Sequence, residues 1–151
     1  MKKIYYGKAV YDKKEINAVL NVLRNDSLTL IDGKKVKELE KKVSSLFGKK
    51  YGLMVNSGSS ANLIGLAASI LDNNVDLNKG DEILVTSLSW STTYSPFYYL
   101  NLKPRYIDIN IDTLNIDVDK IESNISKKTK AIFIVNITGN PNEFSKIKKI
   151  A

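Results

Sequence analysis

Two short, unbroken apolar runs constrain this chain more than anything else in it. They are Ile83-Leu84-Val85-Thr86 and Ala131-Ile132-Phe133-Ile134-Val135. A strand with one wet face alternates apolar and polar residues. These runs do not alternate, so both of their faces must be covered. Tyr51-Gly52-Leu53-Met54-Val55 reads as another short buried strand, and residues 104–109 as a further one. Helical patterns fall between them. Strands that alternate with helices predict an α/β fold, a mostly parallel sheet with helices on both faces.

The helices can be read from spacing and caps. Residues 12–25 form the first, with Asp12 and Glu15 set as a capping box and Ile16, Val19, Leu20 and Leu23 on one face. Residues 25–33 break the pattern and read as a loop. In the second helix, residues 35–47, Val36, Leu39, Val43, Leu46 and Phe47 make an apolar stripe, and Gly48 is placed to end it. A third runs from about residue 63 to Asp72. Residues 94–102, rich in aromatics, read as helix despite Pro96, and residues 118–125 as a short helix capped by Asp117. The final stretch, Ser145-Lys146-Ile147-Lys148-Lys149-Ile150-Ala151, looks like the opening of a helix, from which a truncated chain is expected. The expected organisation is an N-terminal helix and loop segment over residues 1–33, then a large domain from residue 34 to 151.

Asn56-Ser57-Gly58-Ser59-Ser60-Ala61-Asn62 lies between an expected strand and an expected helix. The first N–H groups of a helix have no internal partner, and the helix dipole puts partial positive charge at the same point. Gly58 lets backbone approach a ligand, and the serines add hydroxyls. A phosphate fits such a turn. The same residues are also ordinary N-cap and turn formers, so the heptapeptide alone leaves both readings open.

Composition removes several classes of chemistry. The 151 residues contain no cysteine and no histidine. Disulfides, thiolate or imidazole metal sites, a cysteine nucleophile and a histidine base are therefore impossible within this chain. The net charge is +7, nearly all from lysine, with Arg24 and Arg105 the two arginines. The lysines are spread among acids like solvated faces, so no nucleic acid partner is expected. Asp108, Asp112 and Asp117 alternate with apolar residues near a strand end and read as turn and capping groups rather than metal ligands. No apolar run approaches the ~20 residues that span a bilayer. The N-terminus lacks the apolar core of a signal peptide, so the expected location is cytoplasmic, with no membrane partner.

Several blocks then occur in one order. Lys37-Glu38-Leu39-Glu40 leads to Phe47-Gly48, followed by the Val55-to-Asn62 turn and Lys79-Gly80-Asp81-Glu82-Ile83. Ser89-Trp90-Ser91-Thr92-Thr93 comes next. After it stand the segment from Asp108 to Asp117, Lys127-Lys128-Thr129-Lys130-Ala131-Ile132 and Gly139-Asn140-Pro141. This ordered set resembles the DegT/DnrJ/EryC1/StrS family of sugar aminotransferases and dehydratases. The resemblance implies part of the fold type I large domain, which binds pyridoxal 5'-phosphate or pyridoxamine 5'-phosphate. It implies that Gly58, Ser59 and Ser60 hold the cofactor phosphate. Trp90 matches the aromatic position that stacks on the pyridine ring, the alternative being a core tryptophan. Tyr94, Phe97, Tyr98 and Tyr99 read as helix packing or part of a subunit interface.

Within the family, Ser57-Gly58-Ser59, Ser89-Trp90-Ser91-Thr92-Thr93 and Val135-Asn136 through Gly139-Asn140-Pro141-Asn142 look like the branch that removes the C3 hydroxyl from nucleotide-linked 4-keto-6-deoxy sugars. Aminotransferases more often carry Ser-Gly-Thr in the first of these blocks and Gly-Gln-Pro in the last. The implied partners are a nucleotide-linked keto sugar and a second copy of the chain in a homodimer. The catalytic lysine or histidine, and the aspartate against the pyridine nitrogen, lie in the family beyond the stretch present here. No catalytic residue is therefore assigned. An aminotransferase, or a fragment without catalysis, remains the alternative.

Overall fold

The computed structural model describes residues 3–5, 7–25 and 30–151. The chain divides into two compact units, Met1–Met54 and Val55–Ala151.

The first unit holds α1 (Lys13–Asn25) and α2 (Lys34–Leu46). The α1 capping box forms as expected. The Asp12 N–H donates to Glu15 Oε2 at 2.8 Å, and the Lys14 N–H to Asp12 Oδ1 at 2.6 Å. None of the α1 residues is buried, so the Ile16–Val19–Leu20–Leu23 stripe is uncovered in this chain. Part of the expected 25–33 loop, residues 26–29, lies outside the described residues. At the end of α2 the Lys49 N–H donates to Ser44 O and the Gly48 N–H to Ser45 O. This paired reach-back needs a left-handed residue, which Gly48 supplies at φ +62°.

The expected strand at residues 51–55 does not form. No ladder partner exists for the segment among the described residues, and Tyr51 and Leu53 are exposed. Its 52–54 portion follows α2 instead. The Met54 N–H donates to Glu40 Oε1 at 2.8 Å, and a Cβ at Gly52 would stand 2.7 Å from Glu40 O.

The second unit is built on three parallel strands, β1 (Glu82–Thr86), β2 (Lys103–Ile107) and β3 (Thr129–Phe133), in the order β2-β1-β3. Central β1 is buried on both faces, as its unbroken apolar run requires. Ile83 and Val85 join Leu66 and Phe97 on one face. Leu84 joins Ile107, Ile121 and Ile147 on the other. The first face is covered by α3 (Gly58–Leu71) and α4 (Ser91–Tyr99), with Phe97 edge-on to Phe133 at 5.4 Å between ring centres. The second is covered by α5 (Phe144–Ile150) and two single-turn 3-10 helices, Val118–Lys120 and Glu122–Asn124, where one short α-helix was expected.

Helix α4 begins three residues before its expected start, because Trp90 caps it and Ser91-Thr92-Thr93 form its first turn. Pro96 therefore lies inside the helix, fully buried, where it deprives the backbone of one hydrogen bond. At the amino end of the sheet, Glu82 ties all three strands together. Its carboxylate accepts from Thr129 Oγ1 at 2.6 Å and Ser126 Oγ at 3.0 Å, and pairs with Arg105 Nη1 at 3.7 Å. Chiefly the Thr129 hydrogen bond holds this carboxyl below the ordinary glutamate range, against the opposing effect of burial.

Candidate cofactor-binding site

Ser57, Gly58, Ser59 and Ser60 come together as one structural device. Ser57 is the N-cap of α3, with extended backbone, and its Oγ accepts from the Ser60 N–H at 3.2 Å. The Ala61 N–H is taken by Ser57 O. Two donors of the first turn remain. Among the described residues, no acceptor meets the N–H groups of Gly58 and Ser59. Gly58 is the first helical residue rather than part of a turn, and its backbone is not left-handed. Its value is spatial, since a Cβ there would meet nothing within 4 Å. Two free N–H groups, a bare glycine and adjacent hydroxyls at the positive end of a 14-residue helix form a donor set that fits a phosphate.

Trp90 caps α4, the other helix on the same face of the sheet. Trp90 is 69% exposed and is not part of the core of this chain. Beneath it the loop after β1 is held in place. Ser89 Oγ and Thr93 Oγ1 lie 2.8 Å apart, and the Tyr94 hydroxyl donates to Thr86 O at 3.1 Å. Burial raises the Tyr94 phenol above its ordinary range, so it serves as a neutral donor at neutral pH. Of the other aromatics, Phe97 is core, while Tyr98 shares a 3.0 Å hydroxyl contact with Tyr106 and Tyr99 is exposed.

Asp108 and Asp117 do turn and capping work. Asp117 accepts from the Asp119 N–H and pairs with Lys120 at 3.1 Å; Asp108 accepts from the Ile109 N–H. Among the described residues no helix is long and apolar enough to cross a membrane, and no group of three or more acids could hold a metal ion.

The asparagines after β3 were legible as part of a family block, but their bonding to one another and to Asn115 was not. Asn115, Asn136, Asn140 and Asn142 are bonded into a network that seats the loop after β3. Gly139-Asn140-Pro141 was legible as a block, but the pairing of Asn136 with Asn142 has no periodic signature.

A fold and a phosphate-competent helix end of this kind are those of the fold type I enzymes, α/β proteins with a mostly parallel sheet and helices on both faces. Over residues 10–151 the chain matches the DegT/DnrJ/EryC1/StrS aminotransferase family, and it belongs to that family. It is 45% identical over 142 residues to GDP-4-keto-6-deoxy-D-mannose 3-dehydratase of Yersinia pseudotuberculosis, a match covering 94% of this chain and 36% of the relative. A solved structure of the E. coli GDP-4-keto-6-deoxy-D-mannose-3-dehydratase with bound hydrated PLP superposes with a TM-score of 0.86 at 43% identity, over 95% of this chain and 36% of that one. The chain is also 34% identical over 136 residues to 3-oxo-glucose-6-phosphate:glutamate aminotransferase of Bacillus subtilis, covering 90% of this chain and 29% of that relative. The chain thus spans about a third of the length of the relatives it matches.

Proposed function

We propose that this chain is the cofactor-phosphate portion of a pyridoxal- or pyridoxamine-phosphate-dependent enzyme that removes the C3 hydroxyl of a nucleotide-linked 4-keto-6-deoxy sugar. The observation that carries this reading is the 45% identity to a 3-dehydratase over nearly the whole chain, against 34% to the aminotransferase. Residues 1–33 are assigned as a leading helix and loop segment and residues 34–151 as the first part of the cofactor-binding domain. We further assign a cytoplasmic location and a homodimer to the natural gene product.

The bound cofactor would act as the electron sink for the elimination. This chain's own residues would bind and orient it. Gly58 and Ser59 N–H groups would donate to phosphate oxygens, with the Ser59 and Ser60 hydroxyls beside them and the α3 dipole adding attraction. Trp90 would cover one face of the pyridine ring, fixing its tilt and excluding water. Tyr94 would brace the strand end from which the Trp90 loop springs.

The test uses the natural gene product. Loaded with pyridoxamine phosphate and given GDP-4-keto-6-deoxy-D-mannose, it should release a 3-deoxy sugar, read by mass spectrometry. An amino sugar formed with glutamate as donor would instead establish the aminotransferase reading. Neither product, with no cofactor bound, would defeat both. Trp90→Ala should weaken pyridoxal phosphate binding roughly tenfold, since the lost stacking adds to lost area burial. Unchanged affinity would remove Trp90 from the site.

A further inference from the structure

The strand order creates a crevice at the carboxyl ends of β1 and β3. β1 and β3 are parallel neighbours, paired at Val85 and Phe133. Beyond them the chain diverges. The segment leaving β1 enters α4 on one face of the sheet, and the segment leaving β3 enters α5 on the opposite face. Such a divergence opens a crevice at the carboxyl ends of the two strands, where open parallel sheets bind ligands. Trp90 stands on the β1 side of it and Asn136 on the β3 side.

Asn136 is exposed, yet its side chain is oriented. Its Oδ1 accepts from the backbone N–H of Asn142 at 3.1 Å and from Asn142 Nδ2 at 2.8 Å. A backbone N–H can only donate, so the inward atom is the oxygen and Nδ2 faces the other way. Among the described residues Nδ2 of Asn136 has no acceptor. Asn142, 6% exposed, commits its amide hydrogens to Asn136 Oδ1 and Val135 O, and its own oxygen is left without a partner. A buried orphan oxygen is costly. The fold tolerates it and keeps both hydrogens on the loop. Asn115, 4% exposed, holds the same loop from below, donating to Asn140 O at 3.1 Å and Pro141 O at 3.2 Å and accepting from the Ile137 N–H at 3.2 Å.

We infer that Asn136 presents a pre-oriented hydrogen-bond donor to an oxygen atom of the ligand bound in the β1–β3 crevice, and that Asn142 is the positioning residue that holds it there. This rests on the cofactor reading proposed above. The acceptor is a phenolic or carbonyl oxygen, which both the cofactor and a keto sugar carry.

The discriminating variant is Asn136→Asp. It keeps the inward acceptor for Asn142, replaces the outward donor by an acceptor and adds one negative charge, so Asn136→Ala, which removes the donor without adding charge, is measured beside it and must show the same loss. In the natural gene product, pyridoxal phosphate is titrated by its absorbance change, and GDP-4-keto-6-deoxy-D-mannose is titrated calorimetrically without cofactor. A loss of about tenfold or more in pyridoxal phosphate affinity assigns the acceptor to the cofactor, and the same loss for the sugar nucleotide assigns it to the substrate. Affinities for both within twofold of wild type, with wild type binding pyridoxal phosphate, overturn the inference and leave the proposed function standing. Failure of the wild type to bind pyridoxal phosphate overturns both. Should N136D not fold, Asn136→Ala is read by the same thresholds. Asn142→Ala should weaken the same ligand, and combined with N136D it should cost no more than N136D alone. Additive losses would leave Asn142 merely structural.

Discussion

Gly58→Ala should make the natural gene product more stable and a poorer cofactor binder at once. Gly58 is the first residue of α3, its backbone is not left-handed, and a methyl group there meets nothing within 4 Å. The folded state should accept alanine without strain, while the unfolded chain loses freedom. The gain is about 0.4–1 kcal/mol. In a protein of this size class or larger that raises the melting temperature by about 1–4 °C. Gly65, in the same helix and also meeting nothing within 4 Å, provides the control. Gly65→Ala should gain about 1 kcal/mol through helix propensity alone. The two variants part on ligand binding. The open space at Gly58 and the free N–H groups of Gly58 and Ser59 are what a phosphate would use, and each charge-assisted hydrogen bond contributes about 1.5–3 kcal/mol. Losing one lowers pyridoxal phosphate affinity about 10- to 100-fold. Gly65→Ala should leave it unchanged. Thermal unfolding of the cofactor-free protein and titration with pyridoxal phosphate measure both quantities. If G58A binds like wild type, the phosphate does not sit at this helix end. If G58A melts lower, the first turn of α3 is not built as described.

Gly52→Ala has the opposite character. Its Cβ would press on backbone at 2.7 Å from Glu40 O, so a loss of about 1–3 kcal/mol is expected in chemical denaturation. Phe97→Ala removes a fully buried ring and its edge-on contact with Phe133, costing about 3–5 kcal/mol by the same measurement. Glu82 gives the pH dependence. Its carboxyl is held below the ordinary value of 4.5, so its stabilisation is complete above that value and is lost as pH falls through the lower folded one. Glu82→Gln should flatten this acid limb in urea midpoints measured across it, and an unchanged limb would place the acid sensitivity elsewhere.

How much was legible in the sequence depended on whether an element carries its own signature. Ile83, Leu84 and Val85 announce a strand buried on both faces, and they feed the two clusters alternately. Gly48 and the Asp12–Glu15 pair mark helix ends by chemistry that needs nothing distant. The 51–55 segment has the same apolar look, but a strand is a property of a pair, and no partner exists for it among the described residues. The start of α4 was displaced because its first turn, Ser91-Thr92-Thr93, is polar and its periodicity begins only at the aromatics. At the site, the serine turn was visible as a donor-rich stretch. That Gly58 already lies inside the helix is a backbone fact no residue type declares. The Asn136–Asn142 pairing required the loop to fold back on itself before either residue could be seen to matter.

The links at the lower end of β1 bear on the order in which the sheet is made. The Gly80 N–H donates to Asn101 O and the Lys103 N–H to Asp81 O, so the chain leaves β1, climbs through α4 and returns beside its own starting point. β1 and β2 thus close over a loop of about twenty residues, whereas the Glu82–Thr129 contact spans 47. Local closures form fastest, so the β1–α4–β2 crossover unit should assemble while β3 is still being synthesised. Until β3 arrives, the second edge of β1 stands bare, its peptide groups open to any other nascent chain, and a ribosome stalled in that interval would expose an aggregation-prone edge.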